Sequence, residues 1–249
     1  MSIVRIALRI CGVEAVRGKT LVGDNVLDSE IGALDTAADG TLRTPKEKQF
    51  VSVYTDDSKV LTGLESRSFT RNGSLDLIFE GGVASPHITT DPDTDASVIY
   101  NGLPATDANF EFYLDLTMRQ ITDALCDPEN EWAAIFNSLI IRFEKLERAR
   151  VSGDTNGVRL AAHQMKLTIE PIADPVMGNG IPAGSPLAVF FAKCESDLIG
   201  RMPDTAKKIA LMRAQISGDA NELQTAMRRY GLIHDEADAM LITPYEGSP

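Results

Sequence analysis

The period of the apolar residues changes twice along this chain, and the order of those changes limits its fold more than any other feature. Over residues 67–80 apolar side chains alternate, with Phe69, Leu75, Leu77 and Phe79 on one face. Over residues 162–172 they alternate again, His163, Met165, Leu167 and Ile169 against Gln164, Lys166, Thr168 and Glu170. A period of two marks a half-buried strand, because successive side chains point to opposite faces. Between these stretches the spacing is helical. Phe110, Tyr113, Leu114, Ile121 and Leu125 fall on one side of a helix capped by Thr106, and Glu111, Asp115, Arg119 and Thr122 fall on the other. Asp127 and Pro128 then read as the N-cap and first-turn proline of a second helix, with Glu129 and Glu131 near its positive end. Its stripe is Trp132, Ile135, Phe136, Leu139, Phe143 and Leu146. A chain so patterned mixes strands with two consecutive core helices.

The flanking regions extend this reading. Ser2 stands where an N-cap belongs, and Ile3, Val4, Ile6, Leu8, Ile10, Cys11 and Val13 predict a mostly buried helix. Arg5 and Arg9 share its exposed stripe, and Gly18 ends it. Residues 20–44 hold Asp24, Asp28, Glu30, Asp35 and Asp39 against Arg43 and read as a long acidic loop. Phe50, Val51, Ser52, Val53, Tyr54 and Thr55 form a β-rich run closed by Asp56 and Asp57. Residues 81–104 carry no strong pattern and exceed the ~12–15 residues usual for a structureless loop, which marks them as a functional or disordered one. Residues 175–186 are rich in Gly and Pro and read as a linker. Beyond it the spacing is helical only: Leu187, Phe190, Phe191, Cys194 and Leu198, then Ile209, Met212 and Ile216, then Leu223, Met227 and Tyr230. The expected division is a domain over residues 1–175 and a helical C-terminal extension over residues 176–249.

Composition excludes several classes of function. No apolar run approaches the roughly 20 residues of a bilayer span, and the N-terminal stretch is broken by Arg5, Arg9, Glu14 and Arg17, so neither a membrane protein nor a secretion signal is expected. The net charge of -12, from 36 acidic and 24 basic residues, opposes tight binding of a phosphate backbone. Cys11, Cys126 and Cys194 are odd in number and fall in expected helices, the usage of buried thiols in a reducing cytoplasm.

The motifs that suggest chemistry fail on spacing. Gly18, Lys19 and Thr20 look like the end of a phosphate loop, but Val13 stands where its first glycine belongs. Asp91, Asp93 and Asp95 imitate a calcium loop, yet Ala96 occupies the glycine position and Gly102 the position of the bidentate glutamate. His87, His163 and His234 have no partner at metal-ligand spacing, and no nucleophile elbow is present. No catalytic, cofactor-binding or metal-binding residue is nominated, and an enzyme with dispersed catalytic groups stands as the rival of a different class.

The order of features resembles that of the tail terminator, or tail completion, proteins of long-tailed bacteriophages. The resemblance rests on the N-terminal helix, on the loop from Gly18 through Gly23, Asp24, Asn25 and Val26 to Ile31, and on the strand from Phe50 to Tyr54 and Asp57. It continues through the long strand, the helical segments and a closing strand at Lys166, Leu167, Thr168, Ile169, Glu170 and Pro171. Asn25 and Leu27 replace an arginine and a tyrosine of the family's pattern. What the resemblance implies is an α+β fold, a mainly antiparallel sheet with helices packed on one face. It further implies a virion structural protein that forms a homo-oligomeric, hexameric ring at the neck. Such a ring is assembled in the host cytoplasm, caps the major tail tube protein and offers a docking face to the head–tail connector or stopper protein. DNA would pass through its lumen without specific binding. The acid-rich loops suit contacts between subunits, or a lumen that repels phosphates. The nearest alternative is another neck protein, a head–tail stopper or adaptor, of which stoppers are smaller and richer in β.

Overall fold

Apolar residues around most of its circumference make Ile3–Val16 a buried helix, α1, and Gly18, with φ of 68°, ends its last turn. The computed structural model describes residues 2–29, 50–60, 71–82, 86–90, 97–101, 108–155, 158–219 and 221–222. The chain divides into two compact units, one of Arg5–Gly63 with Asn72–Ile172, the other of Met1–Val4 with Leu64–Arg71 and Ala173–Pro249.

The first unit is built on a five-stranded sheet. Its strands are β1 (Val26–Asp28), β2 (Phe50–Lys59), β3 (Ser74–Gly82), β6 (Ile140–Thr155) and β7 (Val158–Pro171), in the order β1-β2-β3-β7-β6. Only the β1–β2 pair is parallel; the rest is antiparallel. Between β3 and β6 lie a separate hairpin of β4 (Pro86–Thr90) and β5 (Ser97–Asn101), then helices α2 (Ala108–Cys126) and α3 (Glu131–Ser138). This is an α+β fold. Val53 pairs with Phe79, which pairs with Met165, so the period-two pattern of three strands puts their apolar residues in one row. Helix α1 crosses that row at Gly12, where an added Cβ would lie 3.2 Å from the Phe79 ring and 3.4 Å from Val53. Helix α2 packs on the same face through Met118, against Gly81, and through Leu114 and Ile121.

The opposite face carries a polar network around the buried Ile78. Tyr54 donates to Glu80 at 2.6 Å and accepts from Gln164 at 3.0 Å, while Asp76 accepts from Thr168 at 2.7 Å and pairs with Lys166 at 2.6 Å. Burial, followed by the Glu80 contact, pushes the Tyr54 phenol well above its ordinary range.

The second unit contains α4 (Pro186–Asp197) and α5 (Pro203–Ser217). Ser185 caps α4 with Pro186 in its first turn, and Gly218, in a left-handed conformation, closes α5. Leu187, Phe190, Phe191 and Cys194 are buried, as are Ile209, Met212 and Ile216, and Arg213 lies 4.7 Å from the Phe191 ring centre. Asp174 supplies the cap expected of Ser2. It accepts from the amides of Val4 at 3.0 Å and Ile3 at 3.2 Å, while Ser2 donates to it at 2.7 Å.

Several expectations are corrected. The acidic loop contains β1, and residues 81–104 contain the end of β3 and the β4–β5 hairpin. Helix α3 is capped by Asn130, whose side chain accepts from Ala133, and Asp127 only closes the preceding turn by accepting from Glu129 at 3.0 Å. The helix expected to run through Leu146 stops at Ser138, and Phe143 and Leu146 belong to β6. Thr106, Phe69 and the third C-terminal stripe lie outside the described residues. No helix among the described residues is long and apolar enough to cross a membrane.

Candidate interaction surface

Strand β6 is the outer strand of the sheet, and all its residues from Ile141 to Arg150 are exposed, on both faces. The ladder to β7 shifts register twice, between Ile140 and Arg142 and between Phe143 and Lys145. The second shift bulges Glu144 out of line, so Phe143 pairs with Ile169 and Leu146 with Leu167. Residues three apart in a regular strand point to opposite faces; here the bulge returns both to the helix-bearing face. That spacing continues the helical stripe of Trp132, Ile135 and Leu139, which is why the sequence reads as one long helix.

On that face the helices stop short of β6 and leave an apolar groove of about 390 Å³. Leu125 and Cys126 of α2, Phe136 of α3, Met165 and Leu167 of β7, and Phe143 and Leu146 of β6 line it. Phe143 is 53% exposed and Leu146 45%, large values for residues of this kind. Cys126 is exposed at the groove, whereas Cys11 and Cys194 are buried as expected of all three.

A second apolar surface lies near the N-terminal end of α2. Phe112 and Tyr113 form an edge-to-face pair with ring centres 5.7 Å apart, and they are 62% and 43% exposed. Tyr113 was expected on the buried side with Leu114, but it is exposed where Leu114 is buried. Between the two surfaces an ionic cluster fastens α2 to β7 and β6. Nε2 of His163 lies 2.9 Å from Glu111 and Nδ1 lies 3.1 Å from Asp115, while Arg150 reaches Glu111 at 2.6 Å. A ring facing a carboxylate at each nitrogen donates to both only when doubly protonated. His163 is the one histidine singled out in the sequence whose side chain is described, and it faces the carboxylates of Glu111 and Asp115. Among the described residues no group of three His, Cys, Asp or Glu side chains is arranged to hold a metal ion.

The other edge of the sheet is closed. Arg17 donates to the carbonyls of Asp24 at 2.9 Å and Val26 at 3.2 Å and pairs with the buried Glu14 at 3.1 Å, and Arg9 pairs with Asp28. The arginines that the sequence placed on an exposed stripe are therefore half-buried: Arg9 ties α1 to β1, and Arg5 donates to Thr55 Oγ1 at 2.6 Å. Comparison with protein-family models, with curated proteins and with solved structures gives no match.

Proposed function

We propose that this chain is a structural protein of a long-tailed bacteriophage virion, a tail terminator whose subunits close into a ring that caps the tail tube and joins it to the head connector. The observation that carries this reading is the presence of two unlike apolar surfaces on one subunit. The Phe112–Tyr113 pair lies near one end of α2, and the groove at Leu125 and Cys126 lies at the other. A head-to-tail ring requires two different complementary surfaces on each subunit, whereas a two-fold dimer requires only one. The element order supports it as well: an N-terminal helix, a short strand, a strand whose apolar half ends at Tyr54, the strand β3, then after a hairpin the helices α2 and α3, and the closing strands β6 and β7, the last through Pro171.

One observation favours the other neck reading, a head–tail stopper or adaptor. The second core helix is short, eight residues, and a 16-residue strand follows it, so the chain is richer in β than its sequence suggests. Imaging of particles made without this protein separates the two. Overlong or headless tails are expected for a terminator. Tails of normal length beside unjoined heads are the result for a stopper or adaptor, and normal virions would reject both.

A further inference from the structure

The outer edge of β6 has no strand beside it among the described residues, although β6 is the longest strand of the sheet. Open edges are templates for further pairing, and proteins that keep them bare blunt them with charge. The charges on β6 do more than blunt it. In sequence they run Arg142, Phe143, Glu144, Lys145, Leu146, Glu147, Arg148, Ala149, Arg150.

We propose that β6 pairs antiparallel with β6 of a second copy of this chain, about a two-fold axis at Leu146. An antiparallel pair related by a two-fold axis perpendicular to the sheet sets one residue opposite its own copy, and its neighbours opposite each other in reversed order. Centring on Glu144, Lys145, Glu147, Arg148 or Arg150 sets a charge against itself. Centring on Ala149 sets Arg148 against Arg150. Centring on Leu146 sets leucine against leucine, Lys145 opposite Glu147 and Glu144 opposite Arg148, each twice. Like charges directly opposite destabilise a sheet and opposite charges support it, so one register from 144 to 150 is selected.

The surroundings agree with that register. Leu146 shares its face with the buried Leu167, so the two leucines meet on the groove side and lose their contact with water. Beyond Glu144 the bulge interrupts the ladder; the register also sets Arg142 opposite Arg150, which are held by Glu170 at 2.7 Å and Glu111 at 2.6 Å, and the pairs it forms exchange with Lys145–Glu147 at 2.7 Å and Arg142–Glu144 at 3.0 Å within each copy. Main-chain hydrogen bonds along the shared edge supply the attraction, and the charge pattern fixes the register. The pairing is measured on the chain alone, so its failure leaves the proposed function untouched, whereas its success would take Leu146, a wall of the groove named for the ring, into a two-fold contact.

Sedimentation of the purified full chain tests it. A dimer is expected, and Lys145→Glu, which faces Glu147 of the other copy, should weaken it by about tenfold or more. Lys145→Glu combined with Glu147→Lys should restore it, with thermal melts confirming that each variant is folded. On a Cys126→Ser background, Leu146→Cys should give a disulfide-linked dimer on mild oxidation, because the two copies of that residue face each other. A monomer, whether its edge stays open or takes a strand of another protein, overturns the pairing. So does a dimer or ring that Lys145→Glu leaves intact.

Discussion

The two edges of one sheet are finished in different ways. At β1 the sheet ends in three residues, and side chains from α1 and the loop after it close the edge: Arg17 takes the Val26 carbonyl and Arg9 takes Asp28. At β6 it ends in sixteen residues with charge on both faces, a bulge and an apolar groove alongside. The first edge is covered by the chain's own side chains, and the second has no strand beside it among the described residues. Burial follows the same division: Phe79, beside α1, is fully buried, and Phe143, on β6, is half exposed.

The sharpest test of that contrast removes the same ring at each site. Phe79→Ala should cost about 3–5 kcal/mol, as the core loses a filled ring site where α1 meets the sheet. Phe143→Ala, measured by urea denaturation at concentrations that keep copies apart, should stay within about 0.5 kcal/mol. Equal losses would mean that β6 is as much a part of the core as β3.

Arg17→Met opens the closed edge. It removes two donors to main-chain carbonyls and the ion-pair partner of Glu14, whose side chain is only 5% exposed. A loss of about 2–3 kcal/mol in equilibrium unfolding is expected. A neutral result would show that water closes this edge as well as the guanidinium does.

The smallest effect belongs to the polar face midway between the edges. Tyr54→Phe should cost about 1 kcal/mol at neutral pH, the hydrogen bond to Glu80 being lost. It should also change the alkaline limb of the stability profile. The folded-state value of Tyr54 is raised, so its contribution is fully present below the ordinary tyrosine value near 10 and declines as pH climbs beyond it toward the folded-state value. The variant should lack that share of the decline; unchanged slopes in the two proteins would dispose of the assignment.

Strands β3 and β7 were legible because each carries a period of two, β2 because residues 50–55 are β-rich, and α1 because apolar residues take most of its circumference. Leu75, Leu77 and Phe79 are all buried on one face, as their alternation says. Strand β1 was not legible, since three residues, Val26, Leu27 and Asp28, carry no period and are held by β2. The β4–β5 hairpin had a signal in its β-branched residues Ile88, Thr89, Thr90, Val98 and Ile99, but composition without alternation was passed over. Strand β6 misled because the bulge at Glu144 gives Phe143 and Leu146 a helical spacing. The candidate surface was therefore hidden where a strand imitates a helix. The Phe112–Tyr113 pair was half legible, for the helix was read but Tyr113 was placed on its buried side.

The middle of the sheet joins Leu75 to Ile169, and residues of β4, β5, α2, α3 and β6 all come between them in the chain. During synthesis β2 and β3 precede β7, so the flank of β3 that pairs with β7 has no partner there until β7 has been translated. Nascent copies on neighbouring ribosomes share this interval, so the rate of translation between Gly82 and Ala162 sets how long each hairpin is open to strands from the wrong molecule.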